Sequence, residues 1–233
     1  MLTDIVTSIQ SILDDPAYTS EIVVTKINQA VSRIAGGIRM SNGEVSPPLP
    51  DLYAYGTVDT SITLPYVSLP ADYQRGIFSV YDSSNDLIRA PRGENYYAFS
   101  RFLSMASNKS LAEAGSIYQV AVKGSRIYYQ GIPTASTTLG IHYYRKPVDM
   151  ALDGDTPDGL PDHLSEDLVK HYVLKEIFGE KIEDGQDNTG IGTKYHTGKF
   201  FEAMTDLIDF IGRDEGPQYY GSGGLEDAGA CDG

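Results

Sequence analysis

The chain has 233 residues, of which 41% are hydrophobic, and its 32 acidic and 18 basic side chains give a formal net charge of −14. This length is sufficient for one or two domains with an ordinary core. The acidic balance, without a cluster of Lys or Arg, argues against nucleic acid as a ligand and against an anionic membrane surface.

Cysteine content and the first residues bear on the compartment. The only cysteine, Cys231, can form no internal disulfide, so a reducing compartment is the simpler interpretation. The segment Met1-Leu2-Thr3-Asp4 lacks the basic region and the apolar run of a signal peptide. No apolar stretch approaches the roughly 20 residues that span a bilayer. We therefore expect a soluble, cytoplasmic protein.

The first 36 residues predict two amphipathic helices. Apolar side chains recur at helical spacing from Leu2 to Leu13, and the pattern ends at Asp14-Asp15-Pro16. Thr19-Ser20-Glu21 indicates the start of a second helix, and Gly36-Gly37 indicates its end. Because helices this short are marginal alone in water, each must bury its apolar face. The simplest partner is the other helix, which predicts an αα-hairpin.

A break at residues 41–50, which contain Asn-Gly and Pro-Pro, separates this hairpin from a region of period-2 patterning. A short helix, Tyr96–Met105, is expected to lie against the sheet, because Phe99 and Phe102 share its apolar face. Most tyrosines lie in this region, and we expect buried rings with hydroxyls in water. The predicted strands are Val58–Leu64, Arg75–Tyr81, Leu87–Ala90, Tyr118–Lys123, Arg126–Gln130 and Thr137–Arg145.

The strongest helix of the sequence follows the last strand and an acidic loop. Residues 153–159 are rich in Asp, Gly and Pro, which favour turns. Pro161 suits a first helical turn, and apolar rows then extend to Phe178, with Gly179 as the predicted end. A final amphipathic helix is predicted from about Thr193 to Gly212.

The order of these elements predicts an α+β fold. The helices at both ends of the chain need apolar partners, and the predicted strands lie between them. We expect a discontinuous helical bundle built from residues 1–47 and 148–213, with an inserted antiparallel β-domain, a sandwich or a barrel, at residues 51–147. Residues 214–233 are Gly-rich and acidic, and they predict an extended, flexible C-terminal tail.

No pattern in the sequence indicates a reaction centre. Among the four histidines, His163 and His171 are two helical turns apart, too far to share a metal ion. The loop 153–158 is similar to a calcium loop, but Pro157 and Leu164 stand where ligands should be. The sequence has no Gly-x-Ser-x-Gly elbow and no phosphate-binding loop, and its paired carboxylates lie in polar loops. We therefore predict no enzymatic activity, no metal and no cofactor.

Two non-enzymatic classes are open. A tyrosine-rich β-domain could stack sugar rings, although the absence of Trp and of a signal peptide lowers this alternative. A structural or assembly protein is favoured by helices whose faces need partners and by a tail that could fold on a neighbour. The tail residues suited to anchor it are Tyr219, Tyr220 and Leu225. On composition alone, a terminus without function explains the tail equally well.

The order of parts resembles a known family. An N-terminal helical hairpin, Leu69-Pro70-Ala71-Asp72-Tyr73, Tyr143-Tyr144-Arg145-Lys146-Pro147 and Gly159-Leu160-Pro161-Asp162-His163-Leu164 occur in this order. Together they resemble the head-to-tail adaptor (connector) proteins of tailed bacteriophages. The resemblance is to the larger members with an inserted β-domain, such as tail tubular A and the P22-type tail accessory proteins. The resemblance covers most of residues 1–213.

The resemblance implies a virion protein at the head-tail junction, made in the cytoplasm of the host bacterium. Its expected partners are further copies of itself in a ring that is usually dodecameric, the portal protein, and a tail or nozzle protein. DNA is expected to pass through the lumen without specific binding, and the acidic balance suits such a pore wall. No membrane and no cofactor are implied. The alternative is a carbohydrate- or receptor-binding β-domain protein of a phage or bacterium.

Overall fold

The computed structural model describes residues 1–84, 86–88, 99, 102–103, 113–185 and 190–212. Within them the fold is α+β, as predicted, with four helices and two antiparallel sheets. The helices are α1 (Leu2–Leu13), α2 (Ser20–Gly36), α3 (Asp162–Glu183) and α4 (Ile191–Ile211). The strands are β1 (Tyr53–Asp59), β2 (Tyr66–Ser68), β3 (Tyr73–Tyr81), β4 (Gln119–Lys123), β5 (Arg126–Gln130) and β6 (Thr138–Arg145).

Both ends of the chain contribute to one helical core, as the apolar stripes predict. Helix α3 packs against each of the other three helices. Met1 lies beside Ser165 near the start of α3, and Asp15 bonds Lys181 near its end, so α1 runs parallel to α3. Each large side chain buried here contributes ~1.5–3 kcal/mol. The fully or almost fully buried ones include Ile5, Ile9, Ile27, Ile34, Leu168, Val169, Ile177, Phe200, Met204 and Leu207.

The predicted end of the central helix is wrong. Helix α3 continues through Gly179 to Glu183. The reason is tertiary: the Lys26 ammonium bonds both carboxylate oxygens of Glu180 at 2.7 and 2.9 Å, and Lys181 bonds Asp15 at 2.9 Å. These contacts tie the last turn of α3 to the neighbouring helices. They offset the roughly 1 kcal/mol that a glycine costs inside a helix.

The two three-stranded sheets have the orders β1-β6-β3 and β2-β5-β4. In the first sheet, β1 and β6 pair in register from Tyr53 opposite Tyr144 to Asp59 opposite Thr138. Alternate residues of a strand face opposite sides of the sheet. The apolar residues of each sheet therefore collect on one side, which is buried. These sides share one core, so the sandwich alternative describes the arrangement. Its buried members are Leu69, Val80, Ile88, Val120, Ile127, Tyr129, Leu139, Ile141 and Tyr143.

The predicted strand Val58–Leu64 is wrong. The strand β1 lies earlier, at Tyr53–Asp59, and residues 61–64 form a turn in which the Ser61 hydroxyl accepts N–H bonds from Thr63 and Leu64. The buried Tyr129 hydroxyl donates to the Leu64 carbonyl at 2.8 Å. This hydroxyl is therefore bonded to the protein, contrary to the expectation of a hydroxyl in water. The short strand β2 follows this turn and lacks a sequence prediction.

Three predictions fall wholly or partly outside the residues described. Leu87 forms a single bridge with Tyr81, whereas residues 89–90 of the predicted strand are not covered. For the predicted helix Tyr96–Met105, the covered positions 99, 102 and 103 are helical, and the Phe99 ring packs on Tyr128 of β5. The C-terminal tail lies outside the described part of the chain. In the covered ranges no helix has the length and apolar composition needed to cross a bilayer.

Candidate functional site

Two of the segments that carry the family resemblance, Leu69–Tyr73 and Tyr143–Pro147, meet where the helices join the sheets. The Asp72 carboxylate accepts a hydrogen bond of 2.7 Å from the Tyr143 hydroxyl, and its backbone carbonyl accepts the Lys146 N–H at 2.6 Å. Burial, together with this carboxylate, raises the pKa of Tyr143 to about 12. The hydroxyl therefore remains a proton donor at any physiological pH. The contacts of Asp72 with Tyr143 and Lys146 thus fix the position of the chain at the end of β6.

The acidic loop that follows is held by its own carboxylates. We call residues 146–159 the braced loop. Arg145 donates two hydrogen bonds to Asp158, at 2.6 and 3.1 Å, and Asp158 also accepts the Val148 N–H at 2.7 Å. Asp155 accepts the N–H groups of Ala151 and Leu152, both at 2.8 Å. Of the aspartates in the loop that is similar to a calcium loop, Asp155 and Asp158 are therefore engaged by bonds within the loop.

These bonds keep both carboxylates ionised. The Arg145 guanidinium lowers the pKa of Asp158, and the backbone N–H groups of Leu152 and Ala151 lower the pKa of Asp155. Hydrogen bonds to a charged form favour that form, so the loop keeps its geometry well below neutral pH.

The braced loop is also fastened to the helical core. The Asn28 side chain of α2 bonds both the carbonyl and the N–H of Met150, at 3.0 and 2.9 Å, and the Met150 side chain is buried. The Leu2 N–H of α1 donates to the Asp155 carbonyl at 3.1 Å. At its far end Gly159 has φ +81°, and a Cβ there would lie 2.6 Å from a Leu52 side-chain atom. The loop is thus fixed at both ends and in its middle.

This rigid loop presents two apolar side chains to solvent. Val148 is 68% exposed and Leu152 is 71% exposed. A groove of about 700 Å³ lies beside the loop and is lined by polar residues of α2 and by Asp149. Apolar side chains on a pre-ordered backbone are typical of a contact surface, because little conformational entropy remains to be lost on binding. The braced loop is therefore the best candidate for a partner contact.

A second exposed surface lies on the outer side of the first sheet. The rings of Tyr53, Tyr55 and Tyr81 surround His142, with centroid distances to its ring of 5.5, 4.9 and 5.6 Å. The Tyr53 hydroxyl bonds His142 Nδ1. Tyr53 and Tyr55 are 52% and 55% exposed. The Tyr55 and Tyr81 rings are tilted by 53° and 77° from the imidazole, so the cluster forms an uneven surface.

A comparison with known families decides between structural and other classes. A family model described as SU10 adaptor protein matches residues 2–224, nearly the whole sequence. The chain belongs to the SU10 adaptor protein family. It is thus a bacteriophage adaptor, and the family is structural rather than enzymatic. No curated protein matches the sequence. The resemblance to phage adaptors is confirmed at this level, whereas the narrower similarity to tail tubular A and P22-type proteins stays a prediction.

The adaptor also contains a buried histidine pair that the sequence spacing does not reveal. His171 of α3 and His196 of α4 approach to 2.9 Å between their Nδ1 atoms, and the Phe178 ring stacks on His196. His196 is 6% exposed. Burial lowers the pKa of both imidazoles, that of His196 to about 4, and the positive charge of Lys170 adds to the effect. Both rings are therefore neutral at pH 7 and hold α3 against α4.

The predicted anchor residues of the adaptor, Tyr219, Tyr220 and Leu225, lie outside the residues that the structure describes, and their role stays a prediction. Across the covered ranges there is no group of three or more His, Cys, Asp or Glu side chains suited to a metal ion. Sequence reasoning also missed Val148 and Leu152 as a surface. Their signal was two apolar residues within a loop whose Asp residues match the spacing of backbone-bonding turns.

Proposed function

We propose that this adaptor forms an oligomeric ring beneath the portal of a tailed bacteriophage and connects the head to the tail. Membership of the adaptor family supports this role, and the braced loop carries it, because that loop offers Val148 and Leu152 to a partner on a rigid backbone. A ring is built from heterologous contacts between identical copies, and a surface that is ordered before assembly loses little conformational entropy when such a contact forms. The portal protein, a tail or nozzle protein and further copies of the adaptor are the proposed partners.

We assign separate roles to the helical domain and to the β-domain, because each has its own hydrophobic cluster. Residues 1–47 and 148–213 form the helical domain that makes the ring and contacts the portal, and residues 51–147 form the β-domain on the tail side. Two hydrophobic clusters that share no member, one mainly of the helices and one of the sheets, support this division, and Leu52 and Tyr144 join the helical cluster at the junction. In this arrangement DNA passes through the lumen. The net charge of −14 suits such a wall, because like charge suppresses adhesion of phosphate.

The decisive experiment mixes purified adaptor with portal particles and examines the mixture by negative-stain microscopy and native mass spectrometry. We expect a ring of adaptor on each portal. The variant Leu152→Ser should weaken this complex and leave the thermal unfolding midpoint unchanged, since the side chain is exposed. Ile62→Ser is the matched control, because Ile62 is 57% exposed but lies in the β-domain. Wild-type protein that forms no complex with portal would refute the proposed function.

The C-terminal tail is proposed to clasp a neighbouring copy or the portal through Tyr219, Tyr220 and Leu225. Tyrosines suit such anchors because they bury a large area with few rotatable bonds. Deletion of residues 214–233 should reduce co-sedimentation with portal particles. Undiminished co-sedimentation of the shortened protein would refute the clasp.

A second candidate function is binding of a carbohydrate or receptor by the β-domain. The exposed rings of Tyr53 and Tyr55 favour it, because aromatic faces stack on sugar rings. A glycan array tests this candidate. Strong signals that Tyr55→Ala abolishes would support it, and an array without signals would remove it.

A further inference from the structure

The charge of the adaptor is distributed unevenly between its two parts. Residues 51–147 contain nine Lys or Arg and seven Asp or Glu, a net charge of +2, whereas the rest of the chain contains nine basic and 25 acidic residues, a net charge of −16. The β-domain is therefore attractive to acidic segments of this same protein, although the whole chain is strongly acidic.

The outer side of the second sheet concentrates part of this positive charge. Tyr66 of β2 lies opposite Tyr128 of β5, and Lys123 of β4 lies opposite Arg126 of β5. Directly opposite residues share one side of a sheet. The neighbouring Ile127 is fully buried in the core on the other side. We call Tyr66, Lys123, Arg126 and Tyr128 the cationic face.

The aromatic rings of this face hold its cations in place. The Arg126 guanidinium lies 4.4 Å above the centroid of the Tyr66 ring, and the Lys123 ammonium lies 4.7 Å from the centroid of the Phe99 ring. The Tyr66 and Tyr128 rings approach to 5.4 Å between centroids. A guanidinium stacked on a ring keeps its N–H donors directed outward along its edge, where a carboxylate can accept two of them.

The two cations of this face have no acidic partner in the described part of the chain. Among the residues that the structure covers, neither Lys123 nor Arg126 forms an ion pair, and both are exposed. By contrast, six cations of the helical part and of the junction form ion pairs in the described structure. Those paired with a carboxylate are Lys26, Arg145, Lys170, Lys175, Lys181 and Lys199.

We propose that the cationic face is the docking surface for the C-terminal segment of this protein, residues 213–233. This segment has five acidic side chains and one Arg, a net charge of −4, and it contains the sequence Pro217-Gln218-Tyr219-Tyr220. Its carboxylates match the N–H donors of Arg126, and its tyrosine rings match the Tyr66 ring beside that guanidinium. The proposal deepens the proposed clasp and rests on it, because it names the surface that the clasp grips.

The length of the segment allows this docking. It begins after Gly212, at the end of α4, where the Phe210 ring packs 4.9 Å from that of His163 at the start of α3. The junction with the sheets lies at this same end of α3. Twenty-one residues at ~3.3 Å each reach roughly 70 Å when extended, more than twice the length of β3, the longest strand described, which has nine residues. Four glycines, at positions 216, 221, 223 and 224, let the backbone follow the sheet surface.

Duplex DNA is the competing occupant. It would need more phosphate contacts than two cations supply, and the surrounding chain carries a charge of −14. The chemistry of the face therefore favours a short acidic, tyrosine-containing peptide over a nucleic acid.

Zero-length carbodiimide cross-linking of the full-length protein, without portal, tests the proposal. The Lys123 amine should couple to tail carboxylates such as Glu226 and Asp227. The variant Arg126→Glu keeps that amine and should lower the yield about five-fold or more, because it reverses the charge beside it. Lys194→Glu is the matched control, since Lys194 is an exposed lysine of α4 without an ion pair in the described structure, and the Lys123 yield should stay within about two-fold of wild type.

Exchanging the charges between the face and the tail separates a loss of docking from a folding defect, because a misfolded variant would not regain the cross-link. Adding Glu226→Lys and Asp227→Lys to Arg126→Glu should restore a cross-link, now between positions 126 and 226 or 227. Equal coupling of Lys123 and Lys194 to the tail would overturn the proposal. So would binding of a labelled DNA duplex that is lost in Arg126→Glu while no tail cross-link forms. Because portal is absent, failure here leaves the ring function to its own test, which is portal binding.

Discussion

Replacement of Asp158 by Ala tests whether the carboxylate holds the braced loop. Its side chain is 24% exposed and accepts two bonds from Arg145 and one from the Val148 N–H. A net hydrogen bond to a charged group contributes ~1.5–3 kcal/mol, and partial exposure reduces the ion-pair share. We expect Asp158→Ala to lower the free energy of unfolding by about 2–3 kcal/mol, because it also strands a half-buried guanidinium.

Urea denaturation at pH 7, followed by circular dichroism, measures this loss. Asp153→Ala is the matched control in the same loop, because the Asp153 side chain is exposed and only its carbonyl accepts bonds; it should change stability by less than about 0.5 kcal/mol. Arg145 lowers the pKa of Asp158 in the folded state. The stabilisation by the Asp158 carboxylate is therefore present above the unfolded pKa of 3.8, and it is lost as the pH falls through the lower folded pKa. Equal stability of Asp158→Ala and the control at pH 7 would refute this account.

Two further predictions concern the backbone and the buried imidazoles. Gly159→Ala should destabilise the protein by about 2–4 kcal/mol, because φ is +81° and the new Cβ would meet the buried Leu52, while Gly154→Ala, with open space around it, should change urea stability by less than about 0.5 kcal/mol. Burial lowers the pKa of His171 and brings that of His196 to about 4, so stability should be constant above pH 6.5 and decrease by about 1–3 kcal/mol as the pH falls towards 4. Urea midpoints at pH 7 and pH 5 measure this decrease. If the stability of His196→Gln fell by as much between these pH values as that of the wild type, the explanation would be contradicted.

The helices follow closely from the sequence because a single local rule governs them. An apolar stripe of period 3.6 must be buried, and the bounds of α1, α2 and α4 agree with the prediction to within about two residues. The end of α3 does not follow, since Gly179 is a local stop signal that distant ion pairs override. The misplaced strand Val58–Leu64 has a similar cause, because the Tyr129 hydroxyl that fixes the turn comes from another strand.

The candidate sites were less accessible to sequence reasoning. The Asp residues of the braced loop indicated a turn, and the structure shows that turn. Exposure of Val148 and Leu152 could not be predicted, since nothing local distinguishes an apolar residue that packs inward from one that faces water. The pairing of His171 with His196 requires the alignment of two antiparallel helices, which periodicity alone does not fix. The cationic face likewise appears only when the register of β4 and β5 is known.

Because the first helices complete their core only with α3 and α4, the order of synthesis constrains when this protein can mature. The hairpin of α1 and α2 leaves the ribosome early and waits for more than a hundred further residues before its apolar side can be covered. At ~5–20 residues per second this interval is on the order of 10 s, long enough for exposed helices to meet chaperones or other nascent chains. Ribosomes that stop within the β-domain would release chains whose first two helices still expose the apolar side chains that α3 covers.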